Sequence, residues 1–291
     1  MKNPLSKIFA RFSRKEKTPP KPDGAPVPDP QVVRPAAISG VTVHEVADTR
    51  ELVFKNVSLI GADGTPLIDY GSFTLKPGDR MMIKGPAGCG KSAGLAAMRG
   101  AWLLGGTGEI IVPPEVRFVP QEDYFPDRSL MGMICAPDPV TAFTREQVVA
   151  AMKDAGLDDF IEQMDDISKR GEYWKNTLSG GQKNKVGFAG AFLHADKTKI
   201  LIVDEITAAL DAKSEATLYP KLLERMKHGI VISVAHHSTL APQHNIFGLV
   251  AKGKVTYTTE LPVMPHDDHD DAPAPASAKE APAVLPPKAA P

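Results

Sequence analysis

A glycine-rich stretch, GPAGCGKS at residues 85–92, constrains the fold of this chain more than any other feature. It fits the pattern G-x-x-x-x-G-K-[ST], in which glycines let backbone N–H groups curl around phosphates and the following helix adds a favourable dipole. A predicted strand at 80–85 and a predicted helix at 91–102 supply the context that the pattern needs. We expect Lys91 to reach the β- and γ-phosphates of a nucleotide and the Ser92 hydroxyl to bind Mg²⁺.

Apolar runs alternate with helical patterns along the middle of the chain, which predicts an α/β domain with a largely parallel sheet. The further predicted strands are 116–121, the long apolar runs at 199–205 and 229–237, and a pair within 246–258. A helix at 144–157 is predicted to begin at a Thr144 N-cap. It belongs to a mostly helical stretch, 125–195, that interrupts the alternation and is expected to form a helical subdomain.

Two adjacent acids, Asp204 and Glu205, end the apolar run ILIVDE. An acid at the carboxyl end of a central strand lies beside the phosphate loop in sheets of this kind. We therefore expect Asp204 to hold Mg²⁺ through water and Glu205 to act as a general base on an attacking water.

Composition sets broad limits on function. The chain has 291 residues, 42% of them hydrophobic, which suits one or two modest soluble domains. The formal net charge of -1 gives no sign of a nucleic-acid surface. Cys89 and Cys135 are too few for a disulfide framework and favour a reducing compartment. No apolar run is long enough to span a bilayer, so another chain would have to supply any membrane span.

The two ends of the chain differ in composition from the middle. The predicted segments are a basic amphipathic leader at 1–17, a proline-rich linker at 18–40, a folded domain at 41–260 and a disordered Pro/Ala/Asp-rich tail at 261–291. Four apolar residues of the leader fall on one helical face: Leu5, Ile8, Phe9 and Phe12. Cationic residues surround this face. This pattern suits a helix on an anionic membrane surface, a helix that binds a partner, or a disordered basic tail.

The motif LSGGQ at 178–182 resembles the signature of the ATP-binding cassette (ABC) ATPases. The order of motifs also resembles theirs: GPAGCGKS, Gln121 in FVPQE, LSGGQ, ILIVDE, AALD at 208–211, and His236 in VISVAHHSTL. The resemblance implies a P-loop NTPase fold with a RecA-like parallel-sheet core, an antiparallel β subdomain and a helical signature subdomain. ATP and Mg²⁺ are the implied substrate and cofactor.

The resemblance also implies a head-to-tail dimer in which each ATP lies between two copies of the chain. The implied nucleotide-binding residues are Gly85, Pro86, Ala87, Gly88, Cys89, Gly90, Lys91 and Ser92 of one copy, Ser179, Gly180, Gly181 and Gln182 of the other, and Asp211, which would cross the interface. The implied catalytic residues are Glu205, Gln121 and His236, and the implied metal ligands are Ser92, Gln121 and Asp204. A second helix N-terminus on the open side of the γ-phosphate would be a suitable anion-binding site.

Phrases such as VPQEDYFP and MICAPDP are similar to the subfamily of peroxisomal fatty-acyl transporters and bacterial peptide or cobalamin importers. In that subfamily a membrane domain precedes the ATPase domain, and this sequence has the basic leader there instead. We therefore expect an ATPase subunit on the cytoplasmic face of a membrane, paired with a separately encoded permease and without a nucleic-acid partner. The alternative is a non-transport ABC ATPase that acts as an ATP-dependent dimer switch on a protein or nucleic-acid machine.

Overall fold

A computed structural model of the chain describes residues 40–120, 125–235 and 238–262. Within these residues, ten strands form one sheet in the order β1-β5-β2-β3-β10-β9-β4-β8-β7-β6. The strands are β1 Val41–Glu45, β2 Leu52–Ile60, β3 Pro66–Leu75, β4 Arg80–Lys84, β5 Gly106–Val112, β6 Val116–Val119, β7 Ile200–Asp204, β8 Ile230–Val234, β9 Ile246–Ala251 and β10 Lys254–Thr258.

One half of the sheet is parallel and forms the centre of the domain. Strands β9, β4, β8, β7 and β6 all run in the same direction. Every residue of β7 and β8 is buried, because helices cover both faces of the sheet, and this burial accounts for their unbroken apolar sequences. The other half is mainly antiparallel, with β2 between β3 and β5. The predicted α/β fold, with a parallel core and an antiparallel β part, is confirmed.

The helices are α1 Lys91–Met98, α2 Leu130–Cys135, α3 Arg145–Asp154, α4 Gly171–Thr177, α5 Gly180–His194 and α6 Ala212–Arg225. Short 3-10 helices occupy Val140–Ala142, Asp158–Gln163, Ala195–Lys197 and Ser238–Gln243. The predicted N-cap at Thr144 is correct, since its side chain accepts from the Gln147 amide in a capping box. Helices α2 to α5 form the helical part that the sequence placed between the strands.

Several helices and strands end earlier than the sequence predicted. The helix expected at 91–102 ends at Met98, because Gly100 adopts a left-handed backbone (φ 66°) that stops the helix. Strand β6 ends at Val119, just before Pro120, which has no N–H for the ladder. Strand β8 ends at Val234, whereas the prediction ran to 237.

Two apolar clusters pack on opposite faces of the sheet. Alternate residues of the parallel strands point to opposite faces, so Leu201 belongs to one cluster and Ile202 to the other. The first cluster includes α2 to α6 and is built around Trp174, which is fully buried and donates from Nε1 to the Lys169 carbonyl at 2.6 Å. The second cluster lies between α1 and the antiparallel half. The leader, almost all of the linker and most of the tail lie outside the described residues, so the predicted segment bounds stay predictions.

Candidate nucleotide site

The site is built on the carboxyl ends of three neighbouring parallel strands. The register aligns Ile83 of β4 with Val234 of β8, and Val234 with Asp204 of β7. The phosphate loop leaves β4 directly after this row, and Glu205 leaves β7 directly after it. The loop and the acid pair therefore lie at the same edge of the sheet, which is the edge where parallel α/β proteins bind ligands.

The phosphate loop, residues 85–92, curls around the end of the Lys91 side chain. Lys91 Nζ donates to the carbonyls of Gly85 at 2.8 Å and Pro86 at 3.0 Å. These bonds hold the ammonium inside the loop, and Lys91 is 9% exposed. Gly88 and Gly90 have φ of 76° and 101°, a left-handed region that glycine tolerates best.

The remaining loop residues divide between surface and packing. Pro86, Ala87 and Gly88 are exposed at the tip, and Cys89 is half-buried. An ideal Cβ at Gly85 would lie 2.7 Å from the Val250 Cβ and 2.9 Å from the Cys89 sulfur. Glycine is thus required at position 85 by close packing as well as by the loop's shape.

Oxygen donors suited to Mg²⁺ lie on two of the elements that meet at this edge. Ser92 is exposed in the first turn of α1, and Asp204 is 7% exposed at the end of β7. A hydroxyl and a carboxylate are hard oxygen ligands of the kind that Mg²⁺ prefers. The donor set therefore fits the metal that the sequence predicts. Gln121, the third predicted ligand, lies outside the described residues.

Glu205 has an unusual backbone for its residue type. Its φ is 50°, a region that non-glycine residues rarely adopt, and its amide donates to the Val234 carbonyl at 2.9 Å. The bond ties the start of the loop after β7 to the neighbouring strand β8. Backbone strain of this kind costs about 1–3 kcal/mol and is concentrated at functional sites.

The predicted signature residues lie at the N-terminus of α5. Ser179 is the N-cap: its hydroxyl accepts from the Gln182 amide at 3.3 Å, and Gln182 Oε1 accepts from the Ser179 amide at 2.9 Å. This reciprocal capping box fixes the geometry of the helix start. Ser179 and Gly180 are exposed, so the helix N-terminus is open to solvent.

The signature residues and the AALD segment form one surface. An ideal Cβ at Gly181 would lie 3.1 Å from the Ala209 carbonyl, and one at Gly180 would lie 3.4 Å from the Ala209 Cβ. Asp211 caps α6 by accepting from the Ser214 amide at 2.9 Å. That backbone hydrogen bond, followed by one from the Ser214 hydroxyl, lowers the pKa of Asp211. The predicted interface aspartate is thus an ionised, exposed helix cap.

His236, like Gln121, lies outside the described residues, but the chain around it is well anchored. Glu215 of α6 is buried and accepts from the Thr239 hydroxyl at 2.7 Å. Tyr219, one helical turn further, contacts His244 Nε2 at 3.0 Å. Sequence reasoning missed both contacts, because neither the spacing nor the residue types of these pairs mark them as partners.

Comparisons with known proteins agree with this geometry. Residues 68–208 match a sequence family described as "ABC transporter". An ABC transporter ATP-binding protein of Haemophilus influenzae is 30% identical over 195 residues, covering 67% of this chain and 32% of that protein. The mycobactin import ATP-binding/permease protein IrtB of Mycobacterium tuberculosis is 32% identical, covering 69% of this chain and 37% of that protein. The ATP-binding cassette sub-family D member 3 of mouse is 28% identical, covering 73% and 32%.

The solved structure of a bacterial Atm1-family ABC exporter with ATP bound matches with a TM-score of 0.61 at 23% identity, covering 86% of this chain and 42% of the other. This match shows a shared fold. Taken together, fold and motifs define a nucleotide-binding domain, and this chain carries the ATP-binding domain of the ABC transporter family. The chain spans 32–37% of the length of these curated relatives. Among the described residues, no helix is both long and apolar enough to cross a membrane.

Proposed function

We propose that this chain is the ATP-hydrolysing subunit of a membrane transporter, that two copies close on ATP, and that a separately encoded permease carries the substrate. The observation that carries the proposal is the aligned row of strand ends, which puts the phosphate loop and the acids Asp204 and Glu205 at one edge of the sheet. ABC ATP-binding domains bind ATP, generally with Mg²⁺, and hydrolyse it.

In the proposed reaction, the loop amides and the Lys91 ammonium hold the β- and γ-phosphates. Glu205 accepts a proton from a water that attacks the γ-phosphorus, and the bond from that phosphorus to the ADP oxygen breaks. Ser92, Asp204 and Gln121 would hold Mg²⁺, which would offset negative charge on the phosphate oxygens. By the resemblance, His236 would contact the γ-phosphate.

The dimer is proposed from the ABC resemblance, and the exposed start of the signature helix supports it. The α5 N-terminus is exposed at Ser179 and Gly180, and the backbone N–H groups of the first turn, at Gly180 and Gly181, are of the kind that bind phosphate. In a head-to-tail pair, this helix start of one copy would close over the ATP held by the other copy. Asp211, on the same surface, would lie at the interface.

Coupling to transport at the cytoplasmic face of a membrane is proposed from the relatives. IrtB is named as a mycobactin import ATP-binding/permease protein, and the mouse relative is named as ATP-binding cassette sub-family D member 3. Residues 1–17 are proposed to bind an anionic membrane surface, on the basis of their apolar face and cationic rim.

The substitution Glu205→Gln tests the proposed reaction. It keeps the shape of the side chain and removes the base, so ATP turnover should fall by about 10²–10⁴-fold. Binding of ATP should persist, and the variant should accumulate as an ATP-bound dimer in light scattering after gel filtration. Phosphate release and particle mass are measured on the same samples.

The matched control is Glu260→Gln, which makes the same chemical change at an exposed residue beyond the last strand. It should leave turnover and mass unchanged. Turnover by Glu205→Gln within about two-fold of the unsubstituted protein would contradict the role of Glu205, since a positioned base contributes far more than that.

A further inference from the structure

Tyr70 lies directly beneath the phosphate loop, although it belongs to the antiparallel half of the sheet. The side chain is 1% exposed on β3. Its hydroxyl donates to the carbonyl of Gly90 at 3.3 Å, with a longer contact of 3.5 Å to the carbonyl of Lys91. Both carbonyls belong to the turn where the loop becomes α1.

The helix above Tyr70 makes room for the ring. An ideal Cβ at Gly94 would lie 1.8 Å from the Tyr70 hydroxyl oxygen and 2.2 Å from its Cζ, both far inside van der Waals contact. Glycine inside a helix weakens it relative to alanine. The glycine at this position is therefore explained by the aromatic ring that occupies the space of a side chain.

Strand β3 supports the loop at a second point. Gly90, whose φ of 101° sets the end of the loop, would place a Cβ 3.0 Å from Ile68 Cγ2 and 3.3 Å from Leu67 Cγ. Leu67, Ile68 and Tyr70 thus form a floor on which the carboxyl-terminal part of the loop rests.

The hydroxyl of Tyr70 stays protonated and able to donate. Burial raises its pKa well above the ordinary value for tyrosine, and the nearby Cys89 raises it further. The C=O of Gly90 and the N–H of Lys91 belong to one planar peptide and point in opposite directions. A hydrogen bond to this C=O therefore also orients the Lys91 N–H. The Gly90 carbonyl accepts from the Gly94 amide of α1 at 3.1 Å as well as from the Tyr70 hydroxyl, and these two donors together hold the Lys91 N–H on the side of the peptide that faces away from them.

We propose that Tyr70 is a positioning residue for nucleotide binding, which orients the Gly90–Lys91 peptide so that the Lys91 amide faces the nucleotide phosphates. The inference rests on the ATPase function proposed above and adds a residue from outside the sequence motifs. It predicts that the hydroxyl group, and not only the ring, sets the affinity for ATP.

The test is Tyr70→Phe, which keeps the ring in the Gly94 slot and removes the hydroxyl. The dissociation constant for a fluorescent ATP analogue should rise about five-fold, the value of one ordinary hydrogen bond. The KM for ATP should rise in parallel, and kcat at saturating ATP should change by less than about two-fold.

Tyr257→Phe is the matched control, because it removes another hydroxyl of the same aromatic cluster. The Tyr257 hydroxyl donates to the Tyr70 backbone carbonyl at 2.9 Å and not to the loop. It should leave affinity unchanged.

A second variant separates packing from positioning. Tyr70→Ala combined with Gly94→Leu fills the same slot from the helix side without a hydroxyl. The melting temperature should recover relative to Tyr70→Ala alone, whereas ATP affinity should stay weak. Affinity that recovers together with the melting temperature would overturn the proposal, as would a Tyr70→Phe protein with unchanged affinity. The unsubstituted protein is measured beside each variant. If the unsubstituted protein binds no ATP, the proposed function fails. If the unsubstituted protein and Tyr70→Phe bind ATP with equal affinity, only this inference fails.

Discussion

Two buried histidines, His194 and His244, make stability depend on pH. Burial, helped by the nearby charge of Arg117, lowers the pKa of His194 to about 4, and burial likewise lowers the pKa of His244 to about 4. Both ring nitrogens of His194 face carbonyls, of Gly190 at 2.8 Å and of Cys135 at 3.0 Å, and these two acceptors, together with Asp138, partly oppose the shift in pKa. Both rings are therefore neutral in the folded protein at pH 7.

The sign of the effect follows from the direction of these pKa shifts. In the unfolded chain histidine has a pKa near 6.5. As pH falls from about 6.5 toward 4, the unfolded chain binds protons first and stability is lost, by about 2 kcal/mol for each histidine at pH 5. Urea unfolding at pH 7 and pH 5 measures this loss. His194→Gln should reduce the difference between the two pH values, and the exposed control His44→Gln should not. Equal stability at both pH values would refute the account.

At the level of single residues, the sequence was most informative where one short motif carries the chemistry. Lys91, Ser92, Asp204 and Glu205 were placed at one edge of the sheet from strand patterns alone, and the register brings their strands together. Tyr70 could not be found in this way, because its role depends on a contact with Gly94 across two elements. A glycine within a predicted helix was the only local signal.

Among the helices and strands, buried central strands were the easiest to predict. The unbroken apolar runs of β7 and β8 are too short for a typical buried helix, which favours buried strands. Thr144 and Gly100 show that caps decide where helices begin and end. Apart from the strand pair within 246–258, the antiparallel half was expected only through the family resemblance. Its strands β2 and β3 contain register shifts and a left-handed Gly71, which break the alternation that marks a strand in sequence.

The leader at 1–17 is an element whose function can be tested separately. We expect deletion of these residues to reduce co-sedimentation with anionic vesicles, because the cationic rim and the apolar face are both lost. Added salt should have a similar effect on the full chain, since it screens the attraction to the lipid headgroups.

The double substitution Phe9→Ser and Phe12→Ser is the matched variant, since it removes apolar surface and keeps every charge. It should weaken binding while the salt dependence remains. Equal sedimentation of the full chain and the truncated chain would show that the leader is not a membrane anchor.

For the whole molecule, the central claim is that one ATP site is made by two copies of the chain. Lys91, whose ammonium lies inside the phosphate loop, would hold phosphate within its own copy, whereas Ser179 lies on the exposed helix start that would serve the other copy. Lys91→Ala should remove the contact between Lys91 and the phosphates. Ser179→Asp should prevent phosphate binding at the start of α5 by charge repulsion. Aspartate is also a good N-cap, so α5 should still begin at the same residue.

The most direct measurement is ATP turnover of these two variants, alone and mixed. Each alone should be nearly inactive, because both sites of its homodimer carry the defect. Random exchange gives about half mixed dimers, in which one site carries both lesions and the other carries none. The account predicts that activity reappears on mixing. Turnover of the mixture that stays at the sum of the separate variants would contradict it, because each copy would then use its own signature residues.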